Sequence, residues 1–193
     1  MSDFVTDVRE LRRRAREHME RGAVTESYAV DLPTLLKVLN EALATELVCV
    51  LRYKNHYHMA RGIHADPVKR EFAEHAAEEQ EHADRIAGRI VQLGGSPEFR
   101  PSLLESRSHS EYVPGDGSLL DMIREDLVAE RIAVESYTEI IRFLGTNDPT
   151  TRRMLEEILA AEETHADELS ELLAAIDPAD TTAKEAPPGN GAP

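Results

Sequence analysis

Glu-x-x-His-Ala-Asp occurs twice in this chain, as EQEHAD at residues 79–84 and as EETHAD at residues 162–167. On a helix, positions i and i+3 lie on one face, so each copy presents one carboxylate and one imidazole in the same direction. Oxygen and imidazole nitrogen together suit a divalent cation. One copy alone says little, because a chain with 25 Glu and 8 His contains about one such pair by chance. The surroundings decide what the repeat means.

Two further glutamates share the pattern. Reading each amphipathic segment at spacings of three and four gives four apolar stripes with polar middles. Glu46 stands between Leu43 and Val50. Glu79 and His82 stand between Phe72 and Ile86. Glu130 stands between Leu127 and Val134, and Glu162 and His165 stand between Ile158 and Leu169. Unpaired carboxylates at core positions cost several kcal/mol each, and no Lys or Arg falls on these stripes. Two divalent cations balance four carboxylates, and two imidazoles complete the donor set. One Glu from each of two helices plus Glu-x-x-His from each of the other two is a carboxylate di-metal arrangement of helix bundles.

The elements that position these residues are marked by punctuation. The first long helix follows Asp31 and runs to about Arg61, before Gly62. The second opens at Asp66-Pro67 and stops at Gly94-Gly95, with Pro expected near a helix start and Gly past its end. The third opens at Ser118, with Asp121 three residues on, and ends near Leu144-Gly145. The fourth opens at Asp148-Pro149 and ends near Ile176. Glu46 to Glu79 spans 33 residues and Glu130 to Glu162 spans 32, enough to climb one helix, turn and return to the same level. EALATELVCVLRY (41–53) and EDLVAERIAVESY (125–137) match at several positions, so the chain reads as two similar hairpins with pseudo-two-fold symmetry. No segment alternates with period two, so no strand is expected. The expected class is all-α, an antiparallel four-helix bundle over 31–176. A shorter helix over about residues 3–21 precedes it within 1–30. Residues 95–117 read as a long connection between the second and third helices, and 177–193 reads as a disordered tail.

Composition limits the function classes. The net charge is −15, and residues 1–30 balance six Arg against six acids, so the whole excess lies beyond them. Such a body repels nucleic acid and attracts cations. RRRAR at 12–16 alternates with Glu10, Glu17 and Glu20 and reads as a salt-bridged surface helix, which argues against DNA. The single cysteine rules out an intrachain disulfide, and a reducing cytoplasm is the simplest location. No signal peptide or membrane span is expected.

On these residues the chain resembles the ferritin-like superfamily over about 32–176, with bacterioferritin and Dps-like mini-ferritins as the nearest patterns. The resemblance implies metal ligands at Glu46, Glu79, His82, Glu130, Glu162 and His165. It implies two iron ions per subunit, with manganese or zinc also admissible, and ferroxidase chemistry on Fe(II) with O₂ or H₂O₂. Tyr53 matches a tyrosine beside that centre and is a candidate electron donor, with Tyr137 as its pseudo-symmetric partner. Gln80 replaces the Met that would hold haem, so no haem is expected. Only Cys49 is present, so the cysteine pair of some archaeal relatives cannot form, and a buried structural thiol is the expected reading. His75 is expected to be a hydrogen-bonded core residue or an accessory to iron entry. Glu78, Glu81 and Glu163 are expected to be solvated or to support the ligands, and His56 and His58 to lie on the surface. A homo-oligomeric shell is implied, twelve subunits in preference to twenty-four, and so is the short helix that mini-ferritins place between the second and third helices, for which PSLLES in the 95–117 connection is the best candidate. The competing readings are a di-manganese catalase or small-substrate di-iron oxidase, and a DNA-binding Dps-like protein.

Overall fold

The computed structural model describes residues 7–176, and among them lie six α-helices and no strand. The helices are α1 (Val8–Arg14), α2 (Leu32–Met59), α3 (Ala65–Gln92), α4 (Pro101–Arg107), α5 (Leu119–Leu144) and α6 (Pro149–Ile176). The four long ones have 26 to 28 residues, which makes rods of about 40 Å. Helix α2 packs chiefly on α3, and α5 on α6. Connections of a few residues force each pair to be antiparallel. The two hairpins then close face to face. Arg52 meets Asp126, Tyr53 meets Glu130 and Glu46 meets Tyr137, so α2 and α5 also run in opposite directions.

Local chemistry sets the helix ends. Ser118 and Asp121 form a reciprocal capping box at the start of α5, which satisfies two amide donors that the first turn leaves free. The Asp148 carboxylate accepts the Thr151 amide at 2.9 Å and caps α6. The α3 start differs from expectation. The helix begins at Ala65 after His64, so Asp66 lies inside the first turn, where its charge favours the helix dipole without capping it. The N-terminal helix is also shorter than expected. Helix α1 spans seven residues, and His18 adopts left-handed backbone (φ 51°) before a 3₁₀ turn at Met19–Arg21. Two of its arginines are salt-bridged as expected, Arg13 on Glu10 and Glu17 and Arg14 on Glu10. The expected tail, 177–193, lies outside the described residues.

The crossover between α3 and α5 runs back along α2. Asn40 Oδ1 accepts the Glu98 amide at 2.8 Å, Thr45 Oγ1 the His109 amide at 2.9 Å, and Asn55 Oδ1 the Gly115 amide at 2.7 Å. Helix α4, the expected short helix, packs Leu104 against Ala44 and Val48 of α2. At Gly115 a side chain would meet Met59 Cβ at 2.9 Å, so only glycine allows the loop this close to α2.

One buried polar clasp fixes that path. Asp126 accepts from Arg52 Nε and pairs with His56 Nδ1, both at 2.8 Å. His56 Nε2 lies 3.0 Å from the Val113 carbonyl, and Arg52 donates to the Glu111 carbonyl at 3.1 Å. His56 is therefore buried and not on the surface as its place near the helix end suggested. It follows Tyr53 by one turn on the inward face, and the crossover covers it. His58 is exposed as expected. Cys49 is buried between Arg52 and Ser110, the structural thiol expected.

The apolar core is in two parts. One cluster holds Leu39, Leu43, Ile86, Ile90, Leu144 and Leu155. The other holds Tyr53, Val68, Phe72, Ile123, Leu169 and Leu173. Between them lies a layer of carboxylates and imidazoles. The membrane-length criterion is met by no described helix: none is long and apolar enough to cross a membrane.

Candidate metal centre

The middle positions of the four stripes converge. Glu46, Glu79, His82, Glu130, Glu162 and His165 are all buried, none more than 5% exposed. Each helix contributes from the same level because the two hairpins have nearly equal lengths. Two overlapping sets form. Glu46, Glu79, His82 and Glu162 offer ligand atoms within 4.8 Å of one another, and so do Glu79, Glu130, Glu162 and His165. Glu79 and Glu162 belong to both sets. Two cations would therefore share these carboxylates, with Glu46 and His82 completing one shell and Glu130 and His165 the other.

The hydrogen-bond inventory tests whether the residues fit metal ions. Among the described residues, seven buried side-chain polar atoms lack a hydrogen bond. Six of them are one atom from each of these six residues: Glu46 Oε2, Glu79 Oε1, His82 Nδ1, Glu130 Oε2, Glu162 Oε1 and His165 Nδ1. Buried polar atoms normally find partners, and orphans call for an explanation such as an ion. The histidines come close to the carboxylates without alignment. His82 Nδ1 lies 3.0 Å from Glu162 and 3.5 Å from Glu46, and His165 Nδ1 lies 3.4 Å from Glu79 and 3.7 Å from Glu130. Oxygen donors with borderline imidazole suit Fe(II), Mn(II) or Zn(II).

Neighbours hold the terminal carboxylates. The Tyr137 hydroxyl donates to Glu46 Oε1, and the Tyr53 hydroxyl donates to Glu130 Oε1. Each tyrosine crosses from one hairpin to the other and leaves the second oxygen facing the centre. Sequence spacing placed both tyrosines near the site but could not show this exchange. Glu78 takes the supporting role that was one of its two expected readings: its Oε2 sits 2.5 Å from His165 Nε2, which aims Nδ1 inward, as an outer partner of a ligand does. Glu81 and Glu163 are exposed. His75 is buried and hydrogen-bonded as one expected reading held, its Nδ1 3.2 Å from the Tyr53 hydroxyl and its ring stacked on His165 at 4.1 Å.

Protons substitute for cations in the metal-free cluster. Burial and the neighbouring Glu79 push the Glu46 carboxyl up, and burial with Glu79 and Glu46 does the same to Glu162. Burial also opposes ionisation of Glu79, yet contacts from Glu46, His165 and His82 hold it low. Burial alone would lower the imidazoles, but Glu46 and Glu79 raise His82 to about 9, and Glu130 and Glu79 raise His165 to about 11. A raised value means that the proton competes with the metal at neutral pH. Metal binding is therefore expected to release protons, and apparent affinity should climb as pH rises from 6 toward 9. Zn(II) calorimetry in two buffers of different ionisation enthalpy reads the proton count directly. An affinity independent of pH over that range would contradict this charge balance.

One surface groove does not adjoin the centre. It is an apolar groove of about 940 Å³ on the outer face of α5, lined by Leu127, Val128 and Ile132. A cavity of about 410 Å³ between α3 and α6 does adjoin it and includes His82 and His165 in its wall.

Comparison with known proteins points the same way. A family model described as a ferritin-like domain matches residues 36–178. A DNA protection during starvation protein from Pyrococcus furiosus is 28% identical over 159 residues, covering 81% of this chain and 85% of that protein. A bacterioferritin from Brucella melitensis is 31% identical over 150 residues, covering 75% of this chain and 87% of that protein. Among solved structures, the bacterioferritin-related protein from Bacteroides fragilis, described as a dodecameric thioferritin, superposes with a TM-score of 0.76. It is 30% identical and covers 81% of this chain and 94% of its own.

Proposed function

The chain belongs to the ferritin-like family, and from that premise we propose that it is a ferroxidase serving iron storage, detoxification and protection from oxidative stress. The observation that carries the proposal is the set of six orphaned atoms, one from each residue of the buried layer. Fe(II) is the substrate. Two Fe(II) ions give one electron each to O₂, which with two protons becomes H₂O₂; with H₂O₂ as oxidant, two protons and two electrons give two waters. Glu79 and Glu162 would span both ions, and four carboxylates would neutralise their charge. His82 and His165 would supply neutral nitrogen after losing their protons. Tyr137 and Tyr53 would fix Glu46 and Glu130 so that each offers one oxygen. Tyr53, backed by His75 where Tyr137 has Ile158 at the equivalent position, is the better-placed donor of an additional electron. Anaerobic titration with Fe(II), followed by O₂ or H₂O₂ and monitored by absorbance, tests the activity. Saturation near two Fe(II) per chain and rapid oxidation are expected. Slow oxidation at the rate of free Fe(II) would refute the proposal, and rapid H₂O₂ loss without Fe(II) would favour a catalase.

A shell of twelve subunits accompanies this reading. It is supported by the dodecameric description of the Bacteroides fragilis protein and by α4 within the crossover, the place where mini-ferritins were expected to carry a short helix. Light scattering should give about 260 kDa, twelve times the 21.6 kDa chain. A mass near twice that would mean a twenty-four-subunit cage, and a dimer would favour a small-substrate oxidase.

A further inference from the structure

One face of α1 and one face of α5 are apolar and exposed, and neither is covered within the chain. On α1, Val8 and Leu11 are three residues apart and share a face. They are 50% and 46% exposed, and no residue of α1 is buried. In the sequence Phe4 and Ala15 continue the spacing of three and four, the pattern of a helix that lies on an apolar partner. Arg9 and Arg12 flank this stripe. Among the described residues neither is paired with a carboxylate, whereas Arg13 and Arg14 both pair with Glu10.

On α5 the exposed face is the apolar groove. Leu127, Val128 and Ile132 line it together with Val38 of α2, and Val128 is 51% exposed. Glu135 and Glu139 line the same groove one and two turns beyond Ile132. Both are exposed and, among the described residues, without a cation partner. The lining on α5 runs from Arg124 to Ile140, about 24 Å of helix against about 10 Å for α1. An exposed apolar strip edged by polar residues marks an interaction site.

The two faces match in length and in charge. Helix α1 carries four arginines and one glutamate, while the −15 of the chain lies beyond residue 30. No residue of α1 lines the groove, so the match is not satisfied inside one chain. The root of the arm is held elsewhere. Val24, Tyr28 and Val30 pack on the first apolar cluster, and the Tyr28 hydroxyl donates to Asp148 at 2.5 Å, at the start of α6. Residues 15–23 connect this anchor to α1, with His18 and Gly22 at positive φ. A stretch of that length reaches at most about 30 Å, enough to carry α1 off its own bundle.

We propose that α1 of one copy lies in the α5 groove of a second copy of this chain, with Val8 and Leu11 against Leu127, Val128 and Ile132 and with Arg9 and Arg12 facing Glu135 and Glu139. Packing of the apolar faces holds the arm. The ion pairs contribute little at an exposed rim but set its direction and register. An arm passed from copy to copy ties subunits together without any change in the bundle. The contact needs a neighbour, and it depends neither on a particular subunit number nor on the proposed activity.

Disulfide trapping in the full chain tests the contact. Leu11→Cys and Val128→Cys chains with tags of different length, co-expressed and mildly oxidised, should give a dimer on a non-reducing gel that contains one chain of each kind. Wild-type chains are the blank, since Cys49 is 3% exposed. Phe143→Cys in place of Val128→Cys should not give the mixed dimer, because Phe143 is 46% exposed on α5 but does not line the groove. Adding Glu135→Gln/Glu139→Gln to the Val128→Cys chain should slow the bond several-fold. Absence of the mixed dimer would overturn the proposal, and so would an equal yield with Phe143→Cys. A Leu11→Cys/Val128→Cys chain that closes its bond only within itself would also overturn it, because the arm would then serve its own bundle. An unchanged rate in the glutamine variant would overturn the ionic register.

Discussion

Glu162→Gln is expected to slow Fe(II) oxidation by about 100-fold or more, while the metal-free protein keeps its fold and melts at an equal or higher temperature. Loss of an outer partner of a metal ligand already costs about 10- to 100-fold, and Glu162 belongs to both four-residue sets, so both shells lose an anionic oxygen at once. The amide keeps the volume of the side chain, and the apolar clusters on either side are untouched. The stability effect follows from the charge balance. Burial and the neighbouring carboxylates push Glu162 up, so its ionised form is disfavoured in the folded protein and the amide removes that cost. Glu79→Gln makes the useful contrast. It should slow oxidation as severely, but Glu79 is held low by Glu46, His165 and His82. Its charge supports the metal-free fold, and its loss should lower the melting temperature. Stopped-flow oxidation and scanning calorimetry on the two variants read both effects. Wild-type kinetics in Glu162→Gln would remove this residue from the centre, and equal melting shifts in the two variants would refute the charge balance.

Asp126→Ala is expected to cost about 3–5 kcal/mol, because removing one member of a buried ion pair leaves the other charge without compensation. Arg52 and Asp126 are both essentially inaccessible, and Asp126 also pairs with His56. Besides the Arg52 contact with Cys49 Sγ, the remaining bonds from Arg52 and His56 go to carbonyls of the crossover, so the whole clasp should loosen. For a chain of this size the loss corresponds to a melting temperature lower by about 10 °C. Glu156→Ala, which breaks the exposed pair with Arg152, is the control and should change stability by less than about 0.5 kcal/mol. Chemical denaturation of the metal-free protein decides it. A loss below 1 kcal/mol for Asp126→Ala would mean that hydrophobic packing alone holds the crossover. Adding Arg52→Met to Asp126→Ala should recover part of the loss, since the orphaned charge goes with it.

The sequence by itself determined the four long helices, because hydrophobic periodicity and capping residues are local. Ser118 with Asp121 and Asp148 with Thr151 need no tertiary context to mark a helix start. It also determined the inward face of each helix around the polar layer. Spacings of three and four place Glu46, Glu79, His82, Glu130, Glu162 and His165 in the apolar stripes, and equal hairpin lengths place them at one level. Tertiary structure alone decided what each of them meets. A stripe fixes a face but not the rotation of the helix opposite, so only packing made Glu79 and Glu162 the shared carboxylates and crossed Tyr53 to Glu130 and Tyr137 to Glu46. The same holds for His56. Its position near the end of α2 reads as surface until the crossover is laid over it, and that path is set by loop contacts with no periodicity. Glu71 and Glu168 lie 97 residues apart and carry no motif. They meet His75 because α3 and α6 pack side by side, and that is a fact of packing which no local pattern encodes.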